Sequence, residues 1–214
     1  PCGAGKSGLL DLSFEQLEEV LKRGAHWAAK NGYGSTEDLN HIEESGKMPN
    51  ADPGMVSQRA KTRGRSQLGT LGSGNHFVEV QYVEEIFDDP AAETFGLRQG
   101  QIVVMIHSGS RGLGHQVCTD YLEIMQTAMP KYGISIVDRQ LACVPIKSQE
   151  GQCYLKAMGA AANFAFANRQ MMSHWTRQAF AKVLGSGNLR LVYDVCHNIA
   201  KEEVHKVGDS MKKV

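Results

Sequence analysis

The chain has 214 residues, of which 42% are hydrophobic, 21% charged and 7% aromatic. This composition is typical of a folded globular domain and excludes a disordered chain. No apolar run approaches the roughly 20 residues that a membrane span needs, so we expect no membrane contact. The 23 basic and 23 acidic residues give zero formal charge. Binding to a polyanion therefore has to depend on a local basic patch.

The five cysteines, at positions 2, 118, 143, 153 and 196, are scattered and show no C-x-x-C spacing. This pattern argues against a disulfide framework and a structural zinc site, and it favours a reducing, intracellular compartment. The chain has no initiator methionine and stops without a closing element, so we expect a piece of a longer protein.

The first third of the chain is predicted to be helical and then irregular. Ser13 and Gln16 form a capping-box pattern, and the apolar spacing after them predicts a helix over 13–31. Residues 33–66 are polar and aperiodic, which predicts a long loop or short helices. Four basic residues give this region a basic edge: Arg59, Lys61, Arg63 and Arg65.

The rest of the chain mixes strands and helices without a regular βαβ order. Alternation over 77–82 predicts a half-buried strand, whereas the β-branched run 102–106 predicts a strand buried on both faces. A third strand is predicted over 189–195, and helices over 115–128 and about 150–184. We predict an α+β fold with a complex mixed sheet, formed by one domain over 1–214.

Two glycine-rich turns are candidates for anion binding. The first, 69–76, ends in Asn75 and His76 just before a predicted strand; the alternative is a tight turn with a surface histidine. The second begins with His107 at a strand end and contains Arg111, whose planar fork suits phosphate; a structural loop is equally compatible. His115 opens the next helix and is expected to be structural.

A third candidate segment, 193–200, carries His197 and Asn198 after the last predicted strand. His76, His107 and His197 thus all lie beside strand ends, where open sheets bind ligands, and could form one metal site. The alternative is three unrelated structural histidines. Cys196 is expected to pack on the opposite face from its neighbour. The remaining histidines are expected to lie on solvated faces: His26, His41, His174 and His205.

Four segments together resemble the RtcB family of RNA-splicing ligases. They are 72–77 (GSGNHF), 107–116 (HSGSRGLGHQ), 137–142 (VDRQLA) and 193–201 (YDVCHNIAK). They occur in the family's order and at similar separations. The similarity extends over essentially the whole chain and is nearest to the eukaryotic and archaeal branch.

The resemblance implies a GTP- and Mn²⁺-dependent ligase with two metal ions in its complete site. Such an enzyme joins RNA ending in a 2′,3′-cyclic phosphate or 3′-phosphate to a 5′-hydroxyl end, as with tRNA exon halves in splicing. It also implies ligase-complex subunits and an archease-like activator as partners, in the cytoplasm or nucleus. The resemblance assigns metal binding to His76, His107 and His197, and catalysis to His107 and Arg111. It places the nucleotide against a larger set: Asn75, His76, Phe77, Val78, Glu79, His197 and Asn198.

In this family an upstream D-x-x-C segment supplies a bridging cysteine, and a histidine in the C-terminal third becomes guanylylated. No aspartate precedes Cys2 in the chain, and no histidine follows His205. We therefore expect the central part of one catalytic domain, incomplete at both ends and inactive in isolation. An RNA-binding module without metal chemistry is the alternative. A P-loop NTPase using Gly5-Lys6-Ser7 is less favoured, because Gly8 interrupts the motif.

Overall fold

The structure, a computed structural model, describes residues 7–214. Cys2 and most of Gly5-Lys6-Ser7 lie outside this range, and no helix follows Ser7 directly. The α-helices are α1 (Phe14–Arg23), α2 (Ala25–Lys30), α3 (Gln58–Gly64), α4 (Asp89–Phe95), α5 (Arg111–Ala128) and α6 (Gln149–Leu184). The strands are β1 (Phe77–Tyr82), β2 (Ile102–His107), β3 (Val204–Val207) and β4 (Ser210–Lys213). The α+β class is therefore confirmed.

The first predicted helix is interrupted at Gly24. The capping box is confirmed, since the Ser13 side chain accepts from the Gln16 amide and the Gln16 side chain accepts from the Ser13 amide. The prediction of one helix over 13–31 is wrong, because Gly24 has a φ of 55° and separates α1 from α2. A side chain at this position would overlap the Gly46 carbonyl oxygen. The break therefore lets a distant segment approach the helix backbone.

Helix α6 is the centre of the fold and confirms the predicted long helix. Its 36 residues end at Leu184, and the next residue, Gly185, caps the helix in the left-handed conformation with a φ of 76°. The stretch 159–172 is buried on all sides, because α1, α2 and α5 pack around it. Large apolar side chains such as Phe164 and Phe166 fill the core there. Polar side chains inside this stretch consequently point at other parts of the protein.

The sheets are small within residues 7–214. Strands β1 and β2 form one antiparallel pair, and β3 and β4 form another. The prediction that β2 is buried on both faces is wrong, because Ile102 and Met105 are 54% and 46% exposed. A sheet of only two strands leaves much of its surface uncovered. The prediction of a strand over 189–195 is also wrong, because this segment forms only a single bridge, between Ile42 and Asp194.

Short helices separated by loops occupy residues 33–66, which was one of the two predicted possibilities, and the basic edge is partly neutralised. Lys61 is buried and forms an ion pair with Glu18 at 2.7 Å. Arg65 pairs with Asp11 at 3.0 Å. In the range 7–214, no helix combines the length and the apolar composition needed to cross a bilayer.

Candidate metal and phosphate site

The structure brings His76, His107 and His197 together. Antiparallel pairing of β1 with β2 places Phe77 opposite His107, so the turn before β1 meets the end of β2. The ring centres of His76 and His107 are 5.5 Å apart, and those of His107 and His197 are 5.3 Å apart. Two of the three ring pairs thus lie next to each other, whereas the approach of all three sets of ring nitrogens stays a prediction. What they bind stays a prediction.

The spacing of the rings suits a shared ion, but the described side chains do not by themselves complete a metal site. Two imidazoles that each bind one ion at ~2.1 Å have ring centres roughly 4.5–5.5 Å apart. The rings are tilted by 59° and 57° to each other. Among the described residues, no group of three or more His, Cys, Asp or Glu side chains stands in an arrangement that would hold a metal ion. Coordination therefore requires the rings to turn, further ligands, or both.

His76 is held in the protonation state that a metal ligand needs. Its Nδ1 lies 3.0 Å from the carbonyl oxygen of Leu71, which can only accept, so Nδ1 carries the proton. The other nitrogen, Nε2, then has a free lone pair, as in many metal-binding histidines. Burial lowers the pKa of His76, and the neighbouring Arg111 lowers it further. The imidazole is thus neutral at physiological pH.

Arg111 lies beside this histidine at the start of α5. This helix begins at Arg111, four residues before the predicted start. Arg111 has a φ of 55°, which is unusual for a residue with a side chain. Its Nε donates to the hydroxyl of Thr70 at 3.0 Å. The guanidinium is therefore fixed close to His76, with donors left for a phosphate oxygen.

The site lies in a cleft of about 1590 Å³ between the β1–β2 pair, α6 and the segment 188–199. Two of the seven predicted nucleotide-binding residues, Val78 and Glu79, do not line it. The other five do: Asn75, His76, Phe77, His197 and Asn198. Val78 pairs with Ile106 and lies on the opposite face of the sheet from Phe77 and His107. Glu79 is exposed and accepts a hydrogen bond from Gln81.

The cleft is strongly basic. Its lining contains one acidic residue, Asp194, and six arginines: Arg63, Arg98, Arg111, Arg169, Arg177 and Arg190. Arg169 and Arg177 form ion pairs with Asp194 and Asp38. Within residues 7–214 the other four arginines form no ion pair with a carboxylate. A chain with zero formal charge thus concentrates positive charge in the cleft that contains the three histidines, which suits a polyanionic ligand.

Sequence reasoning missed the buried residues Asn168 and Arg169, and the partly buried Asp194. Burial lowers the pKa of Arg169, but the contact with Asp194 outweighs this effect and keeps the guanidinium charged. The sequence did contain one signal for Asn168 and Arg169. Asn163 and residues 168–170 are polar, although they lie in a predicted helix that is otherwise rich in apolar residues. Such residues, when buried, need polar partners.

The other singled-out residues lie as follows. Cys196 is partly buried against an apolar cluster, as predicted, but its sulfur also accepts a hydrogen bond from Arg169 at 3.4 Å. Burial raises the pKa of this thiol. His174 is not on a solvated face, since it packs edge-on against Tyr33 and Trp175. The histidines at 26, 41, 115 and 205 are exposed.

Clustered histidines in an arginine-lined cleft are chemically suited to anionic ligands. Comparison with known proteins makes this specific. The family described as "tRNA-splicing ligase RtcB" matches residues 1–214, and the chain belongs to this family. The resemblance drawn from the four motifs is therefore confirmed.

Curated relatives named "tRNA-splicing ligase RtcB" support this membership. The protein of Archaeoglobus fulgidus is 55% identical over 217 residues, which cover 99% of this chain and 45% of that protein. The relative from Methanocaldococcus jannaschii is 54% identical over 100% of this chain and 22% of its own length. The relative from Thermococcus kodakarensis is 54% identical over 100% of this chain and 45% of its own length. The chain thus spans less than half the length of these relatives.

Proposed function

We propose that this chain is the part of an RNA ligase that binds metal and phosphate, and that the intact protein joins RNA ends in tRNA splicing. The observation that carries this proposal is the placement of three histidines in a cleft lined by six arginines and one acidic residue. Family membership supplies the reaction: relatives that match the whole chain are named as tRNA-splicing ligases.

The proposal includes Mn²⁺ and GTP as cofactors. His76, His107 and His197 would hold the ion, which would stabilise negative charge on a reacting phosphate. Imidazole nitrogens suit a divalent transition metal, and the choice of manganese follows the family resemblance. Asn75, Phe77 and Asn198 would contact the nucleotide from the cleft wall. The histidine that becomes guanylylated is expected elsewhere in the intact protein.

Arg111 would bind the phosphate at the RNA end. Its guanidinium lies next to His76, is anchored through Nε by Thr70, and keeps its remaining N–H groups for a ligand. An end carrying a 2′,3′-cyclic phosphate or 3′-phosphate would then lie against Arg111, joined to a partner with a 5′-hydroxyl. The substrates would be tRNA exon halves. Ligase-complex subunits, an archease-like activator and an intracellular location complete the proposal.

The test is calorimetric titration of the intact protein with Mn²⁺. We expect His107→Ala to abolish binding, because His107 is the central ring of the three. His26→Ala is the matched control: this histidine is exposed on α2 and does not line the cleft, so its substitution should leave the affinity unchanged. Binding that is indifferent to His107→Ala would favour the RNA-binding module without metal chemistry.

A further inference from the structure

Two consecutive side chains of α6 form hydrogen bonds with all three segments that carry the clustered histidines. Asn168 and Arg169 lie in the middle of this helix and are 0% and 8% exposed. Consecutive helix positions point about 100° apart, so the two side chains reach different parts of the site. Among the described residues, no buried polar side-chain atom lacks a hydrogen-bond partner.

Asn168 joins the His76 segment to the His107 segment. Its Oδ1 accepts from the Thr70 amide at 3.0 Å, and its Nδ2 donates to the Thr70 carbonyl oxygen at 3.0 Å. The same Nδ2 lies 3.1 Å from the hydroxyl of Ser108, which directly follows His107. One amide therefore fixes the turn before β1 against the end of β2.

Arg169 joins the end of β2 to the segment that carries the third histidine. Its Nη1 donates to the Ser108 carbonyl oxygen at 3.2 Å. Its Nε donates to Oδ1 of Asp194 at 2.7 Å, and its Nη2 to the sulfur of Cys196, the residue before His197, at 3.4 Å. A planar guanidinium with donors on three nitrogens can hold these acceptors at once, whereas a lysine ammonium cannot keep the same geometry.

We propose that Asn168 and Arg169 are positioning residues that set the relative placement of His76, His107 and His197, and through it the affinity for the metal. The inference rests on the metal role in the proposed function. A buried network in which every group is paired permits one arrangement of the segments it joins. Loss of either side chain should therefore let the histidine segments shift while the rest of the core persists.

The test uses the intact protein with two matched pairs of variants. Asn168→Ala is compared with Asn163→Ala, because Asn163 is equally buried in α6 but bonds to Met48 and Leu21, away from the histidines. Arg169→Lys is compared with Arg65→Lys, because Arg65 also donates two hydrogen bonds to one carboxylate, that of Asp11, but does not line the cleft. The readouts are Mn²⁺ affinity by electron paramagnetic resonance, the absorption spectrum of bound Co²⁺, and thermal unfolding.

We expect Asn168→Ala and Arg169→Lys to weaken Mn²⁺ binding by tenfold or more, as for other residues that orient metal ligands. Both should also change the Co²⁺ spectrum. Both controls should stay within about twofold of the wild-type affinity, and Asn163→Ala should lower the unfolding temperature about as much as Asn168→Ala does. If Asn168→Ala does not fold, Arg169→Lys carries the test.

Wild-type affinity in Asn168→Ala and Arg169→Lys would overturn the inference, as would equal losses in the controls. His107→Ala separates this failure from failure of the proposed function. If the wild-type protein shows no Mn²⁺ binding that His107→Ala removes, the metal role itself is wrong, and the inference fails with it.

Discussion

Gly72 and Arg111 are packed so closely that a side chain on Gly72 would overlap the Arg111 guanidinium. Gly72 has a φ of 110°, and its missing Cβ leaves the space that Nη1 of Arg111 occupies. The same Cβ would lie 2.5 Å from Nδ1 of His76. This glycine therefore permits the phosphate-binding candidate and a metal-binding candidate to lie side by side.

We expect Gly72→Ala to displace both Arg111 and His76, because the methyl group and the two side chains cannot share the space. Mn²⁺ affinity and RNA ligation should each fall by tenfold or more in the intact protein. Calorimetry and a ligation assay with a 3′-phosphate RNA measure the two losses.

Gly74→Ala is the control for this prediction. Gly74 lies in the same turn and has a φ of 73°, so alanine there is strained in a similar way. A Cβ added at Gly74, however, would have no neighbouring atom within 4 Å. We expect this variant to lose stability with near-normal Mn²⁺ affinity. Equal losses of affinity in both variants would show that backbone strain, and not the overlap, decides the result.

Arg111→Lys should weaken RNA ligation while the protein stays folded. Lysine keeps the charge but loses the planar fork and the bond from Nε to Thr70. We expect at least a tenfold loss in ligation and an unfolding temperature close to the wild-type value. Unchanged ligation would refute the phosphate role, and unfolding would show that Arg111 is structural.

His174 should make stability depend on pH. Burial against Tyr33 and Trp175 lowers the pKa of His174, and Arg177 lowers it further. The unfolded chain then binds more protons than the folded protein between the lowered pKa and the usual value of about 6.5. The free energy of unfolding should therefore fall as pH drops below about 6.5.

Urea unfolding of the wild-type protein and of His174→Gln at several pH values measures this effect. We expect the stability difference between the two proteins to shift in favour of the glutamine variant as the pH falls, since glutamine takes up no proton. If the free energy of unfolding depends on pH in the same way for both proteins, His174 is not the group responsible.

The 214-residue chain by itself should form no covalent GMP adduct and join no RNA ends. Attack on the GTP α-phosphate needs a nucleophilic histidine held in line with it, and the three clustered histidines are assigned to the metal. Incubation with Mn²⁺ and radiolabelled GTP, followed by denaturing electrophoresis, tests this expectation. A labelled band would disprove it, and mapping the label would identify the nucleophile.

The sequence by itself determined the features that depend on neighbouring residues. Ser13 and Gln16 are three positions apart, so their capping box was visible as a local pattern. The long helix α6, the strand β1 and the glycine turns beside His76 and His107 were predicted for the same reason. The four motifs of the family resemblance were likewise continuous stretches of sequence.

The tertiary structure decided what depends on distant residues. The helix breaks at Gly24, where the carbonyl oxygen of Gly46 lies against the backbone. The segment around Asp194 forms hydrogen bonds with the backbone of His41 and Glu43 and does not join a sheet. Asn168 contacts Thr70 across 98 positions of sequence. Helical and strand periodicities extend over a few residues, so they could predict that 168 and 169 lie in a helix. They could not show that these two side chains would turn toward the histidines, because only the packing of α6 against both turns creates those contacts.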